Sequence, residues 1–319
     1  MKYQFSYRSI HQKFTRPVIT NHGSWEIRES VIIRLIDVRG RVSWGEISPI
    51  YWFGSETLEQ VLDFCRQLPT KITPEIIFDI PDKLPACQFG FESALENLSE
   101  KPKLINYDNL NYSGLLSAGE DALNQWESLW KQGYKTFKWK IGVDEIAKEL
   151  EIFNLLIQQL PISGKLRLDA NGGLSYESAV LWLKTCENLK NRIEFIEQPL
   201  TLDKFPEMLE LSNNYSTKIA LDESVATLQQ LKSCYKQGWR GIFVIKPGIV
   251  GSPSQLRKFC QQYPIDIVFS SVFETRIGRQ AALKLAAELS RNNRAVGFGI
   301  NHYFTEKEAN WPQSLWNNL

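Results

Sequence analysis

A chain of 319 residues with 43% hydrophobic and 23% charged content can bury a large core and exceeds what one small domain needs. Its 37 basic residues against 36 acidic ones leave a formal charge of +1, so no overall field argues for nucleic acid or a membrane surface as partner. A small molecule is the expected ligand. The five cysteines (Cys65, Cys87, Cys186, Cys234 and Cys260) lie singly without CxxC or metal spacing, and their odd number argues against a disulfide framework. Neither a signal-peptide pattern nor an apolar run long enough to span a bilayer is present, so a cytoplasmic location is expected, with the oligomeric state left open, a monomer included.

In chain order, Tyr3, Phe5 and Tyr7 alternate with polar residues. Val31, Ile33 and Leu35 do the same before a turn at Asp37–Gly40 leads into Val42–Glu46, an antiparallel start. Leu58, Val61, Leu62 and Cys65 fall at helical spacing within Glu56–Leu68, with Ser55 as candidate N-cap and Pro69 beyond the end. A second helix is expected from Pro85 to Leu98. From about Ile105 the pattern switches to alternating strand and helix, with helices expected at 119–132, 144–159, 175–188, 227–237, 253–262 and 279–289. The boundary falls near Lys101-Pro102-Lys103. This predicts an α+β capping domain over residues 1–102, a barrel over 103–302, and a segment 303–319, carrying Trp311 and Trp316, that returns to cover the first domain.

Three acids end apolar strand-like runs at a regular interval: Asp169, then Glu197 after 28 residues, then Asp222 after 25. Lys140 lies 29 before the first and Lys246 lies 24 after the last. One strand, one helix and two short loops take about 25–30 residues, so the five occupy equivalent points of successive βα units. In a (β/α) barrel, carboxyl strand ends build the active site, and a packed interior admits few charges without a compensating partner. A single such acid is often only the cap of the following helix, but three in phase point to one cation. All-oxygen donors suit Mg²⁺, and the histidine or thiolate ligands that would favour zinc are missing from these strand ends. Asn171, two residues past Asp169, is read either as a contact to ligand or metal water or as a turn residue before Gly172-Gly173. Glu223 is read as a support that hydrogen-bonds a lysine or a metal ligand.

Lys138 and Lys140 share one strand face, while Phe137 and Trp139 point to the helix layer. Like charge, a nearby cation and desolvation would lower a lysine toward neutrality, which makes Lys140 a candidate base. Taken alone, K-x-K also fits a solvated edge strand, and Lys246 before Pro247 also fits a surface lysine. A divalent ion flanked by opposed lysines suits removal of a proton α to a carboxylate, where an enediolate must be stabilised. A lysine base with Mg²⁺ is a known pattern for that chemistry.

The segments Lys138-Trp139-Lys140, Asp169-Ala170-Asn171, Glu197-Gln198-Pro199, Asp222-Glu223-Ser224 and Lys246-Pro247 resemble the motif series of the muconate-lactonizing subgroup of the enolase superfamily. The resemblance covers nearly the whole chain. It implies an α/β fold, a modified (β/α)7β TIM-like barrel with an N-terminal α+β capping domain, and Asp169, Glu197 and Asp222 as Mg²⁺ ligands. Within the subgroup, Trp44–Pro49, Phe53–Thr57 and Pro85–Ala94 resemble the capping segments of the o-succinylbenzoate synthase family. That family dehydrates 2-succinyl-6-hydroxy-2,4-cyclohexadiene-1-carboxylate to 2-succinylbenzoate on the route to menaquinone or phylloquinone. By this resemblance Lys140 is the base and then the acid, Lys246 stabilises charge from the opposite face, and Lys138 sits by the substrate carboxylate. Ser271 and Gly297 are implied as further substrate contacts. The loop Thr20–Ser24 is a candidate lid or a plain hairpin turn, and Trp52 and Phe53 are candidate pocket walls or capping core. The same lysine pair would also serve an isomerase, such as an N-acylamino acid or dipeptide racemase or a cycloisomerase. Recognition of a substrate ammonium usually wants an acid, and Gly297-Phe298-Gly299 supplies none. A noncatalytic ligand-binding barrel is the remaining reading.

Overall fold

The computed structural model describes residues 2–20, 23–98, 109–189, 191–300, 303 and 311–318. Its first part is a four-stranded antiparallel sheet in the order β3-β2-β1-β4, built from β1 (Tyr3–Thr20), β2 (Gly23–Ile36), β3 (Val42–Ile47) and β4 (Lys71–Ile72). The β1–β2 hairpin is longer than the alternation at either end predicts, and its register shifts between Lys13 and Val18. Val31, Ile33 and Leu35 on one face of β2 pack with Val61 and Cys65 of α1 (Leu58–Gln67) and with Ala86, Cys87, Phe91 and Ala94. The short α2 (Pro74–Phe78) precedes α3 (Pro85–Asn97), the helix that supplies those last four residues.

The N-cap of α1 is Thr57 and not Ser55. Thr57 forms a reciprocal capping box with Gln60, while the Ser55 hydroxyl accepts from the Ile50 amide at 2.7 Å. α3 lies against β3 at a glycine–glycine crossing: a Cβ on Gly45 would stand 2.1 Å from the Gly90 carbonyl oxygen. Only glycines permit that approach. The far face of β2 is also covered. Ile32 packs with Ile10, Ile277 and Trp316 of α12 (Trp311–Asn318), and Trp316 meets the Trp44 ring at 5.2 Å and lies under the Arg34 guanidinium at 4.5 Å.

The second part is a parallel sheet of β5 (Ser113–Leu116), β6 (Thr136–Lys140), β7 (Lys165–Asp169), β8 (Ile193–Glu197), β9 (Ile219–Leu221), β10 (Ile242–Ile245) and β11 (Asp266–Phe269), in chain order. Parallel bridges from Tyr112 to Val296 and from Ser270 to Gly297 close it, so the eighth stave is a short stretch about residue 296. The result is a modified (β/α)7β barrel capped by an α+β domain. Its helices are α4 (Ala122–Lys131), α5 (Ile146–Gln159), α6 (Tyr176–Glu187), α7 (Phe205–Asn214), α8 (Leu228–Lys236), α9 (Pro247–Val250), α10 (Pro253–Gln262) and α11 (Arg276–Leu289). Outward residues of the staves reach this layer, as Trp139 does against Trp182 at 6.3 Å and Phe137 against Trp130 at 6.4 Å. Inside, Phe195, Ala220, Ile242, Val244 and Val268 plug the barrel below the strand ends. At the opposite end Arg167 donates to Glu194 at 2.7 Å and to the Ala295 carbonyl at 2.8 Å, and Arg294 joins Glu194 to Asp266, tying the short stave to its neighbours.

Buried polar contacts seat the cap on the barrel. Glu46 of β3 accepts from the backbone amides of Thr275 and Gly278, both at 2.9 Å, and so caps α11. Gln88 and Glu92 of α3 accept from the amides of Ser252 and Ser254 at the start of α10. A carboxylate at a helix N-terminus meets both unpaired amides and the positive end of the helix dipole. The expected boundary at 101–103 lies outside the described residues. No helix among the described residues is long and apolar enough to cross a membrane. Replacing Gly45 with alanine should lower unfolding stability by about 3 kcal/mol, read from denaturant midpoints, because the clash is with backbone and no rotamer relieves it.

Candidate active site

Parallel pairing sets the site. Lys140 stands opposite Asp169, Asp169 opposite Glu197, and Glu197 opposite Ala220, two residues before Asp222. The three acids therefore crown adjacent staves. Asp169, Glu197 and Asp222 are 5%, 1% and 3% exposed, which puts three carboxylates in one low-dielectric space. Burial pushes Glu197 well above the usual carboxylate range, with the neighbouring Asp169 charge adding to it. Asp222 shifts the same way, again chiefly from burial, with Lys246 opposing. Such a cluster demands positive charge.

Two ammonium groups answer that demand. Lys138 Nζ sits 2.5 Å from Asp169 Oδ2 and 3.0 Å from Glu197 Oε1, which shows that two of the carboxylates converge on one cation-sized point. Lys246 Nζ pairs with Asp222 Oδ1 across a short contact and lies 3.9 Å from the centre of the Phe53 ring. The acids thus divide between two lysines. Among the described residues no three acidic, histidine or cysteine side chains already stand around a single point at ligand spacing. The backbone register brings the three acids to neighbouring strand ends, with Lys138 shared by Asp169 and Glu197 and Lys246 held by Asp222. The environment of Lys138 departs from the expectation of mutual lysine repulsion. Although burial works the other way, the adjacent Asp169 and Glu197 carboxylates drive its affinity for the proton up.

Supporting residues hold the rim. Asn171, in a left-handed conformation at φ 44°, donates from its side chain to Glu223 at 3.1 Å, and its amide donates to Asp169 at 3.1 Å. It serves as turn residue and site residue together. Glu223, expected to bond a lysine or a metal ligand, instead accepts from Asn171. Gln198, also left-handed at φ 37°, was not anticipated from the sequence as a site residue. It is buried, accepts from the backbone amides of Asp222 and Ser224, and donates to Ser224 Oγ and the Leu200 carbonyl. Its position directly after Glu197 was the available signal, since a polar side chain there must find partners inside the barrel.

A cavity of about 750 Å³ opens over this rim. Lys138, Lys140, Asp169, Asn171, Glu223 and Lys246 line its floor. Trp25, Trp52 and Phe53 from the cap wall it, together with Phe273 and Tyr303. Trp52 and Phe53 therefore do line the pocket, while also packing on the capping core. Ser271 and Gly297 reach it too. The Ser271 hydroxyl is engaged locally, donating to Glu274 at 2.8 Å and accepting from the Phe273 amide at 2.9 Å. Gly297 packs closely on Ser270: a Cβ there would stand 2.8 Å from Ser270 Oγ and 3.2 Å from its Cβ. Arg28, buried in the cap, donates to the Val272 carbonyl at 3.1 Å and to the Ser48 and Pro49 carbonyls, fixing the loop after β11 beneath the cap. Of the candidate lid, Asn21 and His22 lie outside the described residues.

Residues 121–315 match the family model for the enolase C-terminal domain-like fold. The chain belongs to that family. It is 37% identical over 303 residues to the o-succinylbenzoate synthase of Thermosynechococcus vestitus, covering 94% of this chain and 93% of the relative. Against the crystal structure of o-succinylbenzoate synthase from Thermosynechococcus elongatus BP-1, complexed with Mg in the active site, the TM-score is 0.92 at 35% identity, over 99% of this chain and 100% of the other. The L-Ala-D/L-Glu epimerase of Bacillus subtilis is a weaker relative, 25% identical over 86% of this chain and 81% of its own length. Family membership agrees with the fold.

Substituting Gln198 with alanine removes the acceptor from two buried amides and leaves a cavity. Chemical denaturation should show a loss of about 2–4 kcal/mol, with the m-value unchanged.

Proposed function

We propose that the chain is an o-succinylbenzoate synthase, a hydro-lyase that removes water from 2-succinyl-6-hydroxy-2,4-cyclohexadiene-1-carboxylate and leaves 2-succinylbenzoate, a precursor of menaquinone or phylloquinone. One observation carries the reaction type: Lys140 and Lys246, on staves four apart in an eight-stave barrel, open into the same cavity beside three buried acids. The near-full-length match to a synthase supports the substrate.

The donor set fits Mg²⁺. Asp169, Glu197 and Asp222 offer only hard carboxylate oxygens, and Asp169 and Glu197 already grasp one cationic point. They would hold the ion, and when bound it supplies divalent charge next to the substrate carboxylate as negative charge develops there. Asn171 and Glu223 would steady Asp169 and its surroundings. Lys138, the ammonium shared by Asp169 and Glu197, would turn to the substrate carboxylate once those acids hold a metal.

Lys140 as the free amine takes the proton from the ring carbon that bears the carboxylate. The resulting ammonium gives that proton to the departing hydroxyl on the same face. A C–H and a C–O bond break, a ring C=C bond and an O–H bond form, and the ring becomes aromatic. Lys246 works from the opposite face. Its partners are a carboxylate and an aromatic ring face, both of which bind cations, so it suits charge stabilisation. Phe273, Trp25 and Trp52 exclude water, and Ser271 and Gly297 set the wall beside the succinyl tail.

Epimerisation of an amino-acid derivative is the second reading, favoured by the Bacillus relative. The acids among the described residues lining the cavity are Asp169 and Glu223, both on the floor, which leaves no carboxylate near Gly297 and Gly299 to meet a substrate ammonium. That supports the dehydration. All five cysteines are buried and unbridged, which fits a reducing cytoplasm.

Purified protein with Mg²⁺ should convert the cyclohexadiene to the benzoate, followed by ultraviolet absorbance. EDTA should abolish turnover and added Mg²⁺ should restore it. Lys140→Arg, which keeps charge but cannot accept a proton, should fall by about 10³-fold or more in kcat. Epimerisation of dipeptides without dehydration would replace this reading with the second one.

A further inference from the structure

Three acids that are to share one ion stand on three separate strand ends, so the spacing between their loops has to be fixed. Gln198 bonds to all three loops. It follows Glu197 directly in the chain. Its backbone carbonyl accepts from the Gly172 amide at 2.7 Å, in the turn that follows Asp169, and its backbone amide donates to the Ala220 carbonyl at 2.8 Å, two residues before Asp222. The side chain reaches further along the same loop. Its Oε1 accepts from the Asp222 amide at 3.1 Å and the Ser224 amide at 3.2 Å, while Nε2 donates to Ser224 Oγ at 2.8 Å and to the Leu200 carbonyl at 3.0 Å. Both lone-pair positions and both N–H groups of the side-chain amide are thus in use. Gln198 is 1% exposed and holds φ at 37°, a conformation that a non-glycine residue keeps only where its surroundings over-determine it. Asp222 leaves the strand at φ −120° and ψ −74°, and opens the short turn Glu223–Val225 that the Gln198 side chain grips.

Resting on the reading of this rim as an Mg²⁺ site, we propose that Gln198 is the positioning residue that makes the site select a small ion. It holds the Asp222 loop against the Glu197 and Asp169 loops and so limits where the third carboxylate can stand. Mg²⁺ demands near-octahedral geometry and tolerates little play between its ligands, whereas Ca²⁺ accepts more oxygens at longer and more variable distances. A hub that only kept the fold together would leave the relative affinity for the two ions alone; a hub that sets the spacing would not. Gln198 does not line the cavity, so it acts through the acids and not on a substrate.

Calorimetric titration of the chelator-stripped full-length protein with MgCl₂ and with CaCl₂ reads this without substrate. Gln198→Met keeps the side-chain volume and removes all four bonds of the amide, and Ser224→Ala removes one of them. Gln198→Met should weaken Mg²⁺ binding by about 10- to 100-fold, the range seen when a group supporting a metal ligand is lost, and Ca²⁺ binding by no more than about threefold. Ser224→Ala should move the Mg²⁺ to Ca²⁺ ratio in the same direction by a smaller factor. Gly45→Ala, destabilised at the crossing of β3 and α3, should bind both ions as wild type does, which separates positioning from loss of stability. Equal weakening of both ions in Gln198→Met, unchanged Mg²⁺ affinity there, or the same ratio shift in Gly45→Ala would each overturn the assignment. Should Gln198→Met fail to fold, an unchanged ratio in Ser224→Ala overturns it. A wild type that binds no Mg²⁺ would overturn the metal reading and this assignment with it. A wild type that binds Mg²⁺ without turning over the cyclohexadiene would overturn the dehydration and leave Gln198 to be judged by the ion ratio.

Discussion

Three carboxylates held together inside a low-dielectric rim cannot stand without cations, and this constraint organises the molecule above and below it. Each acid is delivered by the parallel register of adjacent strands, which the backbone hydrogen bonds make hard to slip. Burial first, and then neighbouring acid charge, raises the affinity of Glu197 and Asp222 for protons, and nearby lysines oppose it. Lys138 within β6 and Lys246 just beyond β10 supply part of the positive charge. A metal ion would supply more, and it would release the lysines from counter-ion duty to act on a substrate. The same charge balance thus links the folded state to the chemistry.

The capping domain obeys a related rule. Glu46 and Glu92 reach from the cap to backbone amides at the starts of α11 and α10, and Glu56 does the same within the cap for the amides of Ala86 and Cys87. Each helix start would otherwise bury unpaired N–H groups, so the acids fix the cap's position as well as satisfying the helices. Arg28 adds the complementary half by filling the carbonyls of Ser48, Pro49 and Val272. Because Val272 belongs to the loop that places Ser271 and Phe273 at the cavity, cap docking and pocket shape are one structural problem.

How much of this could be read beforehand depends on range in the sequence. The phased acids and lysines were legible because a βα unit has a nearly fixed length, and the inward pairing of Lys138 with Lys140 follows from strand periodicity alone. The α3 helix was legible as a segment, but its crossing with β3 was not, since nothing local to Gly45 announces that Gly90 will oppose it. Helix α7, at Phe205–Asn214, was missed because its apolar face is carried mainly by Met208 and Leu211 between loops. Placing the α1 cap at Ser55 failed by two residues. Two hydroxyls competed for the role, and only the side chain of Gln60 decides between them. Arg28 was hidden for a deeper reason, and Gln198 nearly so despite its place after Glu197: their partners are largely backbone groups, which carry no identity in a sequence.

The contact between Phe53 and Lys246 carries the cap down to the floor of the cavity. A lysine that shuttles protons must spend part of each cycle uncharged, whereas an aromatic face and a carboxylate both bind the charged form. Two-base epimerisation needs proton transfer at both faces of a carbon, but dehydration with one lysine acting twice needs only a fixed cation opposite. Phe53 reaches the floor from the cap, so a capping ring and a floor carboxylate meet on one lysine.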